Sequence, residues 1–356
     1  MVIGLKRKER RGRLILEIQI GKSVRRFEWT IEPRYWRNPI IAFLIWASLP
    51  LILWSAGYYS ILSTLVFANV LSIIAVAYSL RVIGTGRLDF GPTFFVAMGG
   101  YVAALFSKWY GLSPWETFFL SFLIGMVLGA LLSPIVVISK GIYYTLITFI
   151  LPFVLYEITY WRSDIFGAET GIPGVPPLLP IINPVMAELS YFYFSVAIVI
   201  LYTFIVDKIL RSKYGLMMGV LNEDEEIANM YGINTNLIKV IIFIVTSGMI
   251  SVAGWFLAHY YMSFTGVLYL SPEFLTLTLM AAVLGGKGAV YGAVIGLYFV
   301  VGLREFTRMW LGGYSTIVFY ASVLMLLLVL PEGLWGLYRK RRYREYVPTI
   351  KVRRKT

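Results

Sequence analysis

From Pro39 to Tyr338 the sequence is a succession of apolar runs of about twenty residues with little charge inside them, and this pattern fixes the solvent in which the chain must fold. A helix needs roughly 20 mostly apolar residues to cross the hydrocarbon core of a bilayer, and backbone polar groups in that layer must be satisfied within the protein. Ten runs are predicted as helices, some of them short: Pro39 to Ala56, Tyr59 to Ile83, Pro92 to Ser107, Pro114 to Ile138, Ile142 to Trp161, Leu189 to Leu210, Leu237 to Phe264, Pro272 to Gly286, Gly288 to Leu303 and Tyr314 to Tyr338. The expected fold is an all-α integral membrane protein, a polytopic helix bundle of about ten spans, with eight as the alternative count. Hydrophobic residues make up 58% of the 356, above the roughly 45–50% of soluble domains, so lipid must cover part of the surface.

Charge supplies the topology. Lys and Arg number 32 against 19 acidic residues, a formal charge of +13, which a nucleic-acid surface would gather into one stripe. Here eleven of the 32 lie in Met1 to Asn38 and nine in Arg339 to Thr356, on the two flanks of the apolar body. With both termini cytoplasmic and ten spans alternating, Arg81, Arg87, Lys140, Lys208, Arg211, Lys213, Lys239 and Lys287 fall inside, and Lys108, Arg162, Arg304 and Arg308 outside. That is the positive-inside bias of a multi-pass protein facing an anionic cytoplasmic leaflet, and it argues for a lipid partner and against nucleic acid. The chain divides into a basic cytoplasmic extension (1–38), a transmembrane domain (39–338) and a basic cytoplasmic tail (339–356).

Catalytic side chains are scarce. The absence of cysteine excludes disulfides, thiolate metal sites and cysteine nucleophiles. The single histidine, His259, stands beside Tyr260 and Tyr261 near the outer end of its span and reads as an interface residue or a satisfied core donor. No catalytic residue and no metal site are expected, and a membrane-embedded enzyme has little to work with. Residues 1–38 lack the apolar core and cleavage site of a signal peptide. Within them "RLILEIQIGKSVRRFEWTI" alternates at period two about Gly21-Lys22-Ser23, with Leu14, Leu16, Ile18 and Ile20 on one face and Phe27, Trp29 and Ile31 on another, which predicts a β-hairpin. Its "GKS" is a turn, because a phosphate-binding loop needs glycine where Leu16 stands.

Two segments, "GTGRLDFGPTFFVAMGGYVAAL" (Gly84 to Leu105) and "SPEFLTLTLMAAVLGGKGAVYGAVIGL" (Ser271 to Leu297), are short and interrupted by Gly and Pro, one in each half. Such pairs point to broken helices lining a substrate pathway. Tight helix packing is the competing use of their glycines, as it is for Gly125 and Gly129 and for Gly288, Gly292 and Gly296 at four-residue spacing. The pathway candidates are Asp89, Gly91, Gly99, Tyr143, Tyr144, Thr145, Thr148, Gly285 and Gly286; Glu157, close to Trp161 and Arg162, reads as interfacial. The Pro- and Gly-rich connection Arg162 to Glu188 is longer than a helix connection needs, and serves either as an external landing surface or as an irregular cap.

One polar stretch, "RSKYGLMMGVLNEDEEIANMYGIN" (Arg211 to Asn234), separates two apolar spans and is cytoplasmic in either span count. Asn222 is the predicted N-cap of a short helix, with Glu223, Asp224, Glu225 and Glu226 in its positive first turn. Ile227, Met230 and Tyr231 then fall at i, i+3 and i+4 as an apolar stripe, and Gly232 ends the helix. Such a stripe fits a groove in a partner; packing back on the bundle is the alternative.

"GRLDFGPTFFVAMGGY", "KGIYYTLITF", "TGIPGVP", "RSKYG…NEDEEIANMYGIN", "AAVLGGKGAVYGAVIG" and "PEGLWGL" occur in the order found in LivM-type permeases, and from about Ser60 to Leu337 the chain resembles these membrane subunits of branched-chain amino-acid ABC importers. The resemblance implies a second, similar permease subunit, two cytosolic P-loop ATPase subunits and an extracellular or periplasmic solute-binding protein that lands near residues 162–188. It also implies the plasma membrane of a prokaryote, alternating access driven by the ATPases, and no cofactor on this chain, ATP being bound and hydrolysed by the partners. The segment after Arg211 is similar to the cytoplasmic loop whose short helix docks on the ATPase. The implied substrates are branched-chain or related amino acids, although relatives of this type also carry amides or urea. The chain departs from the family pattern at Val220 and Asn222, where a small residue and an arginine are usual, at Asp89, where serine is, and at Pro92, where His or another polar residue is common. The N-terminal hairpin has no counterpart. An ion-gradient-driven secondary transporter or channel is the alternative function, and it would need buried carboxylates near the midplane.

Overall fold

The computed structural model describes residues 4–10, 13–20, 23–30, 59–329 except 140, 181–182 and 286–289, and positions 48, 50–53, 55, 57 and 333. The chain forms two compact units that divide between Tyr59 and Ser60. The first contains a three-stranded antiparallel sheet, β1 (Gly4–Arg10), β2 (Arg13–Ile20) and β3 (Ser23–Thr30), paired in that order. Strands β2 and β3 are the predicted hairpin, in a register that sets Leu14 opposite Trp29 and Leu16 opposite Phe27. Strand β1 corrects the two-stranded expectation. Its sequence GLKRKER is built mostly from residues of low strand propensity, yet it pairs with Arg13–Gln19 of β2. Gly21, Lys22 and Ile31, most of the predicted span Pro39 to Ala56, and the basic tail lie outside the described residues.

The second unit is helical: α1 (Tyr59–Thr85), α2 (Pro92–Tyr110), α3 (Pro114–Ile138), α4 (Ile142–Trp161), the short α5 (Ser163–Phe166), α6 (Pro184–Leu210), α7 (Lys213–Glu223), α8 (Glu225–Met230), α9 (Thr235–Tyr260), α10 (Gly266–Leu270), α11 (Pro272–Gly285), α12 (Val290–Leu311) and α13 (Ser315–Val329). The fold is an all-α polytopic bundle. Among the described residues six windows are long and apolar enough to cross a membrane, and the last runs through both α12 and α13. Of the ten predicted spans, Pro39 to Ala56 lies mostly outside the described residues and α2 is not among the six windows; the rest of the difference has a physical source. Helix α11, with 14 residues, is about 21 Å long, short of the roughly 30 Å hydrocarbon core, and α12 and α13 are joined by a single 3₁₀ turn at Gly312–Tyr314.

Helix α9 is the centre, its span 78% buried between α2 and α3, while the spans of α3 and α4 are 28% buried and turn most of their surface outward. Small residues make this packing close. The buried stripe of α3 is Thr117, Ser121, Gly125, Gly129 and Ser133, a repeat of four that brings its backbone against Ser247 and Ser251 of α9. On the other side a Cβ at Gly99 of α2 would run into the Ser251 backbone, and one at Gly254 of α9 into the Val96 carbonyl. Gly99 therefore serves the packing of α2 against α9. Asn69, fully buried in α1, donates to Ser195 of α6 at 2.9 Å and accepts from Tyr298 of α12, fastening three spans with one amide.

Candidate functional site

The connection between α1 and α2, residues 86–91, is bonded through polar groups to α1, α3, α4 and α8. Gly86 starts it with φ +69°, a left-handed turn that glycine adopts without steric cost. Asp89 is buried and pairs with Arg81, also fully buried, at 2.6 Å. Arg81 lies on α1 eight residues earlier and spends its remaining donors on α9: Nε to Thr246 Oγ1 at 2.9 Å, Nη2 to Ser247 Oγ at 2.7 Å and to the Phe243 carbonyl at 3.4 Å. Its guanidinium also lies over the rings of Phe95 and Phe243, 4.8 and 4.4 Å from their centroids. The second Asp89 oxygen accepts the Gly91 N–H at 2.8 Å. A buried charge of each sign is thus paired and hydrogen-bonded, the condition under which burial is tolerated.

Helix α4 closes the other side. Thr145 Oγ1 donates to the Leu88 carbonyl at 3.0 Å, and Thr148 Oγ1 accepts the Phe90 N–H at 3.1 Å. The hydroxyls of Tyr78 and Tyr144 are buried beside Asp89 without a hydrogen bond of normal geometry. The structure therefore gathers Asp89, Gly91, Tyr144, Thr145 and Thr148 into one cluster. Tyr143 is 70% exposed and turned away from the cluster, because adjacent helical positions point about 100° apart. Gly285 is the last residue of α11, and Gly286 lies outside the described residues. Arg81, Tyr78, Thr246 and Ser247 were not anticipated. An arginine inside an otherwise apolar run, eight residues before an aspartate, was the signal that pointed to them.

The segment after Arg211 folds as two helices. Asp224, not Asn222, is the N-cap of α8: its carboxylate accepts the N–H groups of Glu226 and Ile227 at 2.8 and 3.1 Å, whereas Asn222 and Glu223 belong to the end of α7. The extended backbone of Asp224 breaks the run, since a cap must leave helical geometry. Ala228 is buried, while Ile227, Met230 and Tyr231 are 46%, 84% and 59% exposed. Glu225 faces inward, between Arg87 at 2.9 Å and the buried Lys239 of α9. Burial pushes its proton affinity up, but Lys239 and Arg87 outweigh that and hold the carboxyl below the usual carboxylate range. Arg87 additionally donates to the Val136 and Ser139 carbonyls at the end of α3.

On the opposite side, the connection after α4 packs as a cap. Ile172–Pro173 pairs with Ser263–Phe264 as a two-stranded ladder, and Ile172, Val175 and Leu178 are buried. The Pro176 carbonyl faces Nδ1 of His259 at 2.7 Å, and Thr117 meets Nε2 at 2.8 Å. A carbonyl only accepts, so Nδ1 carries the proton and His259 is a satisfied core group. A cavity of about 90 Å³ lined by Glu273, Arg304, Thr307, Arg308, Thr316 and Tyr320 lies among α11, α12 and α13, and none of its lining residues belongs to the Asp89 cluster.

These features define a class: a multi-pass helical membrane protein with a sealed polar cluster in its bundle and an apolar-faced helix displayed between two spans. The chain belongs to the family described as branched-chain amino acid transport system / permease component, whose model matches residues 60–330. The family is one of transport permeases and not of enzymes. Similar proteins include the high-affinity branched-chain amino acid transport system permease proteins LivM of Salmonella typhimurium and Escherichia coli, each 24% identical over 289 residues. These matches cover 72% of this chain and 65% of each relative, so the chain spans about two thirds of their length. The probable branched-chain amino acid transport permease protein LivH of Methanocaldococcus jannaschii is 23% identical over 296 residues, 76% of this chain and 90% of that one. No solved structure matches.

Proposed function

We propose that the protein is the membrane-spanning permease subunit of an ABC importer in the plasma membrane of a prokaryote, with both termini cytoplasmic, translocating branched-chain or related amino acids by alternating access. The observation that carries the reading is α8: in a chain of this permease family, an apolar stripe of Ile227, Met230 and Tyr231 stands exposed on a short helix whose other face is pinned to the bundle. An exposed stripe on an anchored helix is what a groove in a cytosolic ATPase recognises. Two such ATPases bind and hydrolyse ATP, so this chain carries no cofactor and no catalysis of its own. A second, similar permease completes the pathway, and a solute-binding protein lands on the cap around residues 162–188, where the Arg162–Asp164 pair is exposed.

Ion-gradient coupling fits less well, because the charge of Asp89 is committed to Arg81. The test is uptake and copurification with Ile227→Asp or Met230→Asp. Both variants are expected to reach the membrane, lose the ATPases and lose uptake; normal uptake by either would refute docking at α8.

A further inference from the structure

We propose that Glu225 is a positioning residue that passes movement of α8 to the buried Arg81–Asp89 pair, with the connection 86–91 as the receiving element. The inference rests on the reading of α8 as the ATPase-docking helix. At six residues α8 is far too short to hold its place by its own helical bonds, so its position is set by what grips it. Glu225 supplies that grip, one carboxylate held by Arg87 of the connection and by Lys239 of α9. Arg87 is engaged on its other side as well: it donates to two carbonyls at the end of α3, and its Cζ sits 5.9 Å from the centroid of the Tyr144 ring.

Two residues further on stands Asp89. Only two virtual bonds of about 3.8 Å separate the Arg87 and Asp89 Cα atoms, so a shift of the Arg87 backbone has a short path to the buried pair. A buried ion pair is either made or broken, since stretching it in a low dielectric is steeply unfavourable. The structure supplies donors for the broken state: the buried hydroxyls of Tyr78 and Tyr144 lie beside Asp89 and make no hydrogen bond of normal geometry while Arg81 holds the carboxylate. Release of Asp89 by Arg81 would let these two hydroxyls take over the carboxylate, while Arg81 keeps Thr246, Ser247 and the Phe243 carbonyl on α9. The connection thus has two hydrogen-bonded arrangements, the requirement for turning a small shift into a switch.

The test uses the whole complex in vesicles, comparing the parent with Glu225→Gln, Arg87→Gln and the double variant. ATPase binding is expected to persist in all three, because the stripe is untouched. Uptake per ATP hydrolysed is expected to fall by a factor in the range of about 5 to 150, the span of ordinary coupling free energies, with the double variant no worse than either single one. The chain has no native cysteine, so spin labels on Leu88→Cys and Ile241→Cys report the connection against α9. ATP is expected to change that distance in the parent and not in Glu225→Gln. A Glu225→Gln complex with parental uptake per ATP and a parental distance change would overturn the relay and leave docking intact. Absence of ATPases from the unmodified complex would overturn the docking reading and the relay together, and is seen before any substitution is made.

Discussion

Replacing Asp89 by leucine separates a sealed ion pair from a water-lined one. The side chains of Arg81 and Asp89 are 0% and 1% exposed, so Asp89→Leu leaves a guanidinium inside the bundle with no counter-charge. Breaking a buried pair by removing one partner costs about 3–5 kcal/mol. The Gly91 N–H loses its acceptor as well, whereas Arg81 keeps its contacts to Thr246, Ser247 and the rings of Phe95 and Phe243, which holds the loss within that range. At about 2 °C per kcal/mol, the lower end for larger domains, the apparent Tm of the purified protein should fall by roughly 6–10 °C. Asp89→Leu combined with Arg81→Met should recover most of that, since an apolar side chain of similar length packs between the same two rings. The assay is monodispersity by size exclusion after stepwise heating in one detergent. A single variant within about 1 °C of the parent, or a double variant worse than the single, would show that water already reaches the pair and would refute the sealed-cluster argument.

Three further outcomes follow from the same geometry. Gly254→Leu should abolish stable folding and Gly254→Ala should weaken it by about 1–3 kcal/mol, seen as a lower apparent Tm, because any Cβ there meets the Val96 carbonyl. The carboxyl of Glu225 has a folded pKa below its ordinary value, so its grip is fully present above the ordinary carboxylate range and is lost as pH falls through the depressed value; hydrogen exchange of residues 225–230 should rise on acidification in the parent and be pH-independent in Glu225→Gln. Ser113→Ala should cost about 0.5–2 kcal/mol by removing the capping box that Ser113 and Glu116 form at the start of α3, again read as a Tm shift.

The helices were legible in the sequence because lipid enforces a simple rule: α3 and α4 begin and end at the predicted residues Pro114, Ile138, Ile142 and Trp161. The number of crossings was less legible. Apolar runs such as Pro272 to Gly286 satisfy the composition of a span without its length, and only packing decides how a short helix sits. The stripe on α8 was readable from spacing, but its cap was not, since Asn222 and Asp224 are comparable N-cap residues two positions apart and backbone geometry selects Asp224. The glycines were readable as small and unreadable as to use: Gly99 and Gly125 serve the α2–α9–α3 packing, and that emerges only when Ser251 is seen against both.

Arg81 is the instructive omission. Counted by position it looks like a cytoplasmic charge obeying the positive-inside bias, and by that logic it belongs in water. Its burial becomes intelligible only through residues far away in sequence, Thr246 and Ser247 on α9, which in isolation read as helix-packing hydroxyls. A charge in a membrane protein is expensive unless something holds it, so its partners carry the functional information, and they are set by tertiary contact. The acidic run shows the same division. Glu223 ends α7, Asp224 caps α8, and Glu225 alone turns inward to bridge Arg87 and Lys239. The three neighbouring carboxylates carry the same charge, but only the one that faces two cations ties the displayed helix to the connection 86–91 and to α9, which is why substitution at Glu225 is the perturbation with the most to say about coupling.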